Sequence, residues 1–432
     1  MAWHRRESVR IVLLMILALV VRLAFLGVWQ RTHAVDPQRF EFPDSASYWE
    51  LGRHLAAGEP YEAGVSVRRV ERAPGYPLLL ATMFRVVGQD ATPTSARVMG
   101  AMLGALTVGA VYWLARQIFG VQAAWLSSAI VALYPEAIAI SVLPLSDGPF
   151  CLWMMLQFCA WRWATHTQSS SGWGVAAAAG VLGGVATLTR PSWLLFSPLL
   201  TVMWTLATRF DGRQLRLSGV MLLSLAATMM PWWIYASRVA GSFVATTLWV
   251  GPSLYDGLSP TADGSSEMSF VPRFEAQLRA ADAQAAAAAD TAPFEARFDR
   301  MMRDEAIHWA AQHPAKLLRL AGTKLLRMWN VWPNEAQFRS GLVRLVVCIS
   351  YTPIVLLAIY GAWHFRQQRP DVLMLLLPAA YFSLLHAIFI GSLRYRQGAM
   401  LTLAILAGAA LSVMANRWFA TEEEPRVSGA SI

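Results

Sequence analysis

The chain has 432 residues and a formal net charge of +9. Hydrophobic residues make up 56% of it and charged residues only 15%, which excludes a soluble domain of this size. Several apolar stretches reach the roughly 18 to 20 residues that a helix needs to cross about 30 Å of hydrocarbon. No alternating ten-residue pattern indicates a membrane barrel, so the composition predicts an all-α polytopic membrane protein.

The basic residues are almost all arginines, since Lys316 and Lys324 are the only lysines. No arginine-rich run with interleaved aromatic residues indicates a nucleic-acid surface, so anionic lipids or a phosphorylated substrate are the expected partners. The cysteines, Cys151, Cys159 and Cys348, lie in apolar stretches without metal-ligand spacing, and we expect them to be packing residues.

Apolar length and arginine placement predict about ten transmembrane helices. The arginine-rich short connections then share one side, which places both termini in the cytoplasm. The predicted spans are 11–29, 94–115, 121–141, 145–164, 173–189, 191–208, 217–237, 341–363, 371–391 and 397–416.

This topology divides the chain into three units. Residues 1–237 form an N-terminal transmembrane core that includes a long first outer loop, residues 30–93. Residues 238–340 form a small extracytoplasmic loop with amphipathic helices, and residues 341–432 form the last three helices and a short cytoplasmic tail. Long loops of this kind usually carry function.

The first outer loop contains two predicted interfacial helices. Residues Ser45–Ala57 suit a 13-residue helix that begins either with Asp44 or with the Ser47-x-x-Glu50 capping box. At about 20 Å it is too short to cross a bilayer. Residues 74–88 predict a second interfacial helix or a short extra span.

A basic amphipathic helix is predicted in residues 313–333 of the second outer loop. Its leucines alternate with basic residues that include Lys324, at near-helical spacing. Such a helix either rests on anionic lipid or guides a lipid-phosphate substrate.

Three ionisable residues lie inside predicted spans, where charges are costly: Arg22, Glu136 and His386. The topology places all three in the outer half of the membrane, which indicates a cavity open to the outside. The alternative is that each is a structurally paired residue.

Acidic and basic residues also meet on the predicted outer side. A carboxylate beside guanidinium groups at a membrane surface suits attack on a sugar whose leaving group is a lipid phosphate, with the carboxylate as general base. The alternatives are helix N-caps for Asp44 and Asp147, and loop or headgroup cations for the arginines. The residues concerned are Asp44, Glu71, Asp147, Arg72, Arg190, Arg394 and Arg396.

Motifs of other chemistries are missing from the sequence. It contains no GxxxxGK[ST] loop, no GxGxxG after a strand, no HExxH and no GxSxG in a strand-turn-helix context. The histidines are scattered singly, which argues against a His-rich metal site. A nucleotide sugar is disfavoured as donor because no nucleotide-binding domain is predicted.

Six segments of the chain resemble one family of membrane enzymes. They are PDSASYWELGRHLAAGEPY at 43–61, RAPGYPLLLA at 72–81, LPLSDGPF at 143–150, LTRP at 188–191, WVGPSLYDGLSP at 249–260 and RYR at 394–396. In these segments the sequence resembles the GT-C class of glycosyltransferases, and most closely the family 39-like group of protein O-mannosyltransferases and lipid A aminoarabinose transferases. The resemblance implies a GT-C transmembrane core of about ten helices, with interfacial helices in the first outer loop and a small outer region before the last three spans.

The resemblance also implies roles for individual residues. Asp44 is the catalytic carboxylate, although Ser45 follows it where the family often has Glu. Glu71 and Asp147 are further catalytic acids, either orienting groups or holding a divalent metal, and no cofactor is certain. The expected substrate-binding residues, most of them near the lipid phosphate, are Arg72, Arg190, Tyr255, Arg394 and Arg396 from the matching motifs, and Arg22 and Lys324 from their predicted position at the outer interface.

The sequence therefore predicts a glycosyltransferase that uses a polyprenyl-phosphate sugar as donor. Its acceptor is a lipid, a glycan or a protein, and its active site faces outward from the bacterial inner membrane. One alternative is a flippase or transporter of lipid-linked saccharides. The other is a non-catalytic envelope-assembly protein of the same fold.

Overall fold

The computed structural model of the protein is built almost entirely from α-helices. Its described residues contain no β-strand, and only one isolated antiparallel bridge joins Ala63 to Arg68. The described residues are 2–32, 40, 42–64, 67–88, 90–284, 292–333 and 340–422.

The described residues before 241 contain ten helices. They are α1 Ala2–Thr32, α2 Pro43–Ala57, α3 Gly75–Val87, α4 Pro93–Phe119, α5 Val121–Leu133, α6 Pro135–Val142, α7 Asp147–His166, α8 Ser171–Thr189, α9 Phe196–Ala207 and α10 Gly212–Ala240.

The described residues after 241 contain seven further helices. Short 3-10 turns lie at Pro191–Trp193, between α8 and α9, and at Met268–Phe270 and Leu393–Arg396. The seven helices are α11 Val250–Gly257, α12 Val271–Gln284, α13 Phe294–Gln312, α14 Pro314–Trp329, α15 Gly341–His364, α16 Arg369–Ile388 and α17 Gln397–Glu422. The all-α polytopic fold class predicted from the sequence is confirmed. The division at residues 237, 238–340 and 341 stays a prediction, and α10 continues to Ala240.

Seven helical segments of the described chain are long and apolar enough to cross a membrane. Helices α5 and α6 are bent by 58° at the break between them, and they form an eighth span if they are counted together. These eight fall short of the ten predicted spans. The seven segments are Glu7–Thr32, Pro93–Phe119, Ser171–Thr189, Gly212–Ala240, Gly341–His364, Arg369–Ile388 and Leu393–Trp418.

Two predicted spans, 145–164 and 191–208, are not among these segments. The second is interrupted, because Pro191 begins a 3-10 turn and leaves α9 only 12 residues long. The first corresponds to α7, a 20-residue helix with charged or polar residues at both ends. Most of its side chains are buried inside the bundle, and Trp161 has no exposed surface. A helix surrounded by protein does not need a uniformly apolar surface.

Small residues let α8 approach α10 closely. Ala176, Gly180 and Gly184 recur every four residues along α8, and the glycines face the backbone or side chains of α10. Small residues at this spacing allow helix backbones to pack at short range in a membrane.

The first outer loop contains α2, and Asp44 is not the capping residue of this helix. The residue before α2 is Phe42, and no side chain caps the helix. Asp44 lies within the first turn, and its carboxylate is bound by arginines instead. Gly58 ends α2 in the left-handed conformation at φ 74°, which favours glycine.

Helix α13 connects the outer region to the first loop. The buried carboxylate of Glu295 accepts hydrogen bonds from the backbone N–H groups of Arg69 and Val70, at 3.0 and 2.9 Å. One turn later, Asp299 accepts a hydrogen bond from the backbone N–H of Gly251 at 2.7 Å. Two acids of α13 thus hold the first loop and the start of α11.

Helix α14 packs the side chain of Lys324 against the end of α16. Lys324 is fully buried, and its ammonium donates a hydrogen bond to the carbonyl of Ile388 at 2.6 Å. Leu318 and Leu326 instead remain largely exposed on the opposite face. The helix exists as predicted, but this lysine is used to attach it to the bundle.

We predict that Gly180→Ala destabilises the protein by about 1–3 kcal/mol, the usual cost of overfilling a packed contact. An added methyl group would overlap the carbonyl oxygen of Met221 and push α8 away from α10. Gly174→Ala is the matched control, because nothing lies within 4 Å of the corresponding position on the same helix. Thermal unfolding in detergent or nanodiscs measures both, and equal midpoints for the two variants would contradict the proposed packing.

A second prediction concerns pH. Burial lowers the pKa of Lys324 to about 8, from an ordinary value of 10.5. Between these values the unfolded chain holds a proton that the folded protein has released, so the free energy of unfolding rises with pH. We expect the unfolding midpoint of the wild type to rise relative to that of Lys324→Met between pH 8 and pH 10.

The control variant is Lys316→Met, which changes an exposed lysine of the same helix. Its midpoint should follow that of the wild type across this pH range. If the unfolding midpoints of the wild type and Lys324→Met change in parallel with pH, folding does not change the pKa of Lys324.

Candidate active site

Six charged residues from five parts of the chain meet at one end of the helix bundle. We call them the arginine–carboxylate cluster: Asp44, Glu71, Arg72, Asp147, Arg190 and Arg394. They come from the first turn of α2, the loop before α3, the start of α7, the end of α8 and the 3-10 turn before α17. All six are residues predicted from the sequence.

Asp44 lies between two guanidinium groups. Its Oδ1 accepts a hydrogen bond from Arg72 Nη2 at 2.8 Å, and its Oδ2 accepts from both terminal nitrogens of Arg394 at 3.3 Å. Burial by itself would raise the pKa of this carboxyl, but the charges of Arg72 and Arg394 outweigh it and hold the pKa below its ordinary value. Asp44 is therefore ionised at neutral pH.

Asp147 is the internal acid of the cluster. Its Oδ2 accepts a hydrogen bond from Arg394 Nε at 2.7 Å, and its Oδ1 is in close contact with Arg190 Nη1. Only 2% of its side chain is exposed, against 34% for Asp44. Asp147 is thus placed to fix arginines, whereas Asp44 has a surface that a substrate can reach.

Glu71 supports Arg72 from the other side. Its carboxylate lies 3.3 Å from Arg72 Nη2 and 3.5 Å from Arg68 Nε. Arg68 also pairs with Glu275 of α12, and its guanidinium lies over the ring of Trp249 at 4.5 Å. Glu71 therefore belongs to a chain of ion pairs that links the first loop to the outer region.

Aromatic residues that the sequence analysis did not single out flank the cluster. Tyr48 donates a hydrogen bond to Ser146 Oγ at 3.3 Å, and the guanidinium of Arg72 lies 5.4 Å from the centre of its ring. The centre of the Tyr395 ring lies 5.0 Å from the guanidinium carbon of Arg190. The same ring stacks on His386, with 4.2 Å between the two ring centres. The sequence signal that could have identified Tyr48 and Tyr395 was their position in the motifs PDSASYWE and RYR.

Two predicted substrate-binding residues lie outside the cluster. Arg22 is 1% exposed and donates hydrogen bonds to the carbonyls of Ala18 and Ala132. The cavity beside it measures only about 20 Å³, room for about one water molecule rather than for a substrate. Tyr255 packs against Phe270 and Phe274 of the outer region, at 4.9 and 5.1 Å between ring centres.

Lys324 and Arg396 are also directed elsewhere. Lys324 is engaged with the carbonyl of Ile388, as described above. Arg396 is fully buried and pairs with Glu136. Its guanidinium therefore points away from Asp44 and Asp147, which Arg394 contacts. Sequence proximity to Arg394 placed Arg396 in the predicted site, but the 3-10 turn directs the two side chains differently.

The predicted metal ligands, Glu71 and Asp147, are each matched by arginines. Within the part of the chain that the structure describes, no three His, Cys, Asp or Glu residues form a group suited to a metal ion. Cationic neighbours oppose the binding of a second cation at these carboxylates. The residues present therefore do not fit a resident divalent metal, and we assign it no step.

Sequence comparison identifies one family. The family described as dolichyl-phosphate-mannose-protein mannosyltransferase matches residues 83–246. No curated protein sequence matches the chain.

Comparison with solved structures gives similar proteins over nearly the whole chain. Archaeal oligosaccharyltransferase AglB from Archaeoglobus fulgidus, in complex with an inhibitory peptide and a dolichol-phosphate, has a TM-score of 0.61 at 13% identity. The match covers 99% of this chain and 53% of AglB, so the chain spans about half the length of that relative. A structure of the A. fulgidus oligosaccharyltransferase with Zn and sulfate gives 0.56 at 13% identity, covering 94% and 50%.

ArnT from Cupriavidus metallidurans, bound to undecaprenyl phosphate, is 17% identical over 96% of this chain and 78% of ArnT, with a TM-score of 0.43. The likeness to the archaeal enzyme establishes the fold. The resemblance to glycosyltransferases predicted from the sequence is confirmed: the chain is a multi-pass membrane protein with the fold of the GT-C glycosyltransferases, and its residues 83–246 are similar to the protein mannosyltransferase family.

Proposed function

We propose that this protein is a membrane glycosyltransferase that moves a sugar from a polyprenyl-phosphate donor to a hydroxyl or amide group of an acceptor, with Asp44 as general base. The observation that carries the proposal is the position of Asp44 between Arg72 and Arg394. A reachable carboxylate thereby lies beside two groups that bind phosphate in the bidentate manner typical of arginine.

The charge balance of the arginine–carboxylate cluster explains how a phosphate would bind. Its three carboxylates and three guanidinium groups are formally neutral, so a phosphate must compete with the acids for hydrogen bonds. Asp44 is the acid most easily displaced, because it is more exposed than Asp147. Arg72 and Arg394 can then turn toward the phosphate while Asp147 and Glu71 keep them in place.

Phosphate binding also prepares Asp44 for catalysis. The low pKa of Asp44 depends on Arg72 and Arg394, and a low pKa makes a weak base. A phosphate that takes up these guanidinium charges and adds negative charge nearby raises the pKa of Asp44. The carboxylate thus becomes a better base when the donor is bound.

The transfer step is a substitution at the anomeric carbon of the donor sugar. The acceptor oxygen or nitrogen forms a bond to this carbon as its proton passes to Asp44. The bond from the carbon to the phosphate oxygen breaks, and its electron pair stays on the polyprenyl phosphate. Arg72 and Arg394 stabilise the negative charge that develops on this leaving group.

The charge of the site and one structural relative support the donor class. AglB was solved with a dolichol-phosphate. The cluster lies at the end of a bundle of membrane helices, where such a lipid presents its phosphate. We assign the reaction to the extracytoplasmic side of the inner membrane, with a lipid, glycan or protein acceptor.

We predict that Asp44→Asn lowers the transfer rate at least about 100-fold, the usual contribution of a general base. The assay uses the full chain, purified into nanodiscs, with radiolabelled polyprenyl-phosphate sugars and a membrane extract as acceptor source. Transfer of label and release of polyprenyl phosphate are both measured.

The matched control is Asp304→Asn, the same change at an acid of α13 whose side chain is 64% exposed. It should transfer sugar at the wild-type rate. Undiminished transfer by Asp44→Asn would show that this carboxylate is not the base. Movement of a labelled lipid-linked sugar across the bilayer by both proteins, without transfer, would support a transporter instead.

A further inference from the structure

Each of the three guanidinium nitrogens of the buried Arg396 donates to a partner, and two of them donate to Glu136. Arg396 Nε donates to Glu136 Oε2 at 3.2 Å, and its Nη2 is in close contact with Glu136 Oε1. Its Nη1 donates to the carbonyls of Asn330 and Met328 at 2.6 and 3.4 Å. The guanidinium also lies 3.8 Å from the centre of the Tyr351 ring.

These contacts attach one short turn to three helices. Glu136 lies in the first turn of α6, directly after the 58° bend from α5, and Gln397 Nε2 donates to it at 2.7 Å. The carbonyls come from the end of α14, and Tyr351 comes from α15. A fully buried guanidinium without its carboxylate would be strongly destabilised, so Glu136 determines whether Arg396 stays in this place.

The same turn carries Arg394. Residues Leu393–Arg396 form a single 3-10 turn, and Arg394 reaches Asp147 and Asp44 from it. Because this turn is only four residues long, fixing the side chain of Arg396 restrains the backbone from which Arg394, two residues earlier, extends. The position of Arg394 therefore depends on a carboxylate that touches no member of the arginine–carboxylate cluster.

We propose that Glu136 is a positioning residue for sugar transfer: by holding Arg396, it sets the place from which Arg394 reaches the leaving phosphate. This inference rests on the proposed function. It gives a role to an acid inside the membrane-embedded bundle and assigns Arg396 to support of the site rather than to substrate binding.

The test is Glu136→Gln, which keeps the shape of the side chain and removes its charge. We expect the kcat of transfer to fall about tenfold or more, with the KM for the acceptor within about twofold of the wild-type value, because Arg394 acts on the leaving group. The affinity for a polyprenyl phosphate, measured by direct binding, should fall as well.

Glu7→Gln is the matched control. Glu7 pairs with Arg116 at 2.5 Å, and its side chain is 12% exposed against 11% for Glu136. Both variants lose a carboxylate–guanidinium pair whose carboxylate is largely buried, so both should lower the unfolding midpoint. Only Glu136→Gln should lower kcat and phosphate affinity.

A double-mutant cycle with Arg394→Lys separates positioning from general stability. If Glu136 acts through Arg394, Glu136→Gln should add little to the loss caused by Arg394→Lys alone. Losses that multiply, or wild-type kcat and phosphate affinity in Glu136→Gln, would overturn the inference. If the wild type transfers no sugar, the proposed function fails, and the phosphate affinities still decide the role of Glu136.

Discussion

The guanidinium of Arg394 joins the two acids on which the candidate active site depends. It binds Asp147 through Nε and Asp44 through both terminal nitrogens. Asp147 belongs to the interior of the bundle, whereas Asp44 belongs to the first loop, so one side chain connects the loop to the membrane core. The direction of Asp44, and hence of the proposed base, follows from how firmly Arg394 is held.

The electrostatic cost of removing the cluster from water is reduced because each of its acids has an arginine partner. Charges that are removed from water are tolerated when they are paired and hydrogen-bonded, and costly when they are not. The same pairing keeps Asp44 ionised with a low pKa. In the proposed mechanism, substrate phosphate changes this balance at one point, the exposed acid, while Asp147 remains enclosed by Arg190 and Arg394. Phosphate binding and activation of the proposed base are then a single event.

Much of this could be predicted from the sequence, because short motifs placed charged residues at the ends of apolar segments. Asp44, Arg72 and Asp147 were recognisable for that reason. Arg394 and Arg396 could not be separated, since their different directions arise from a 3-10 turn that the letters RYR do not specify. The contact of Lys324 could not be predicted, because an amphipathic pattern does not say which face meets protein, and here the ammonium binds the carbonyl end of α16.

The number of spans differs from the prediction for a related reason. Apolar length and arginine placement indicated ten spans, whereas seven or eight helical segments of the described chain are long and apolar enough to cross a membrane. Most side chains of α7 are buried in protein, and this helix retains Gln157, which donates a hydrogen bond to Ser197 at 2.7 Å inside the bundle. Pro191 shortens α9, a local effect that apolar length alone does not indicate.

The most direct test of the account is the dissociation constant of a polyprenyl phosphate for Asp44→Asn and for the wild type, measured at neutral pH and matched salt. Because Asp44 competes with the phosphate for Arg72 and Arg394, the account predicts severalfold tighter binding by the variant. Binding by Asp44→Asn that is equal to or weaker than that of the wild type would contradict it.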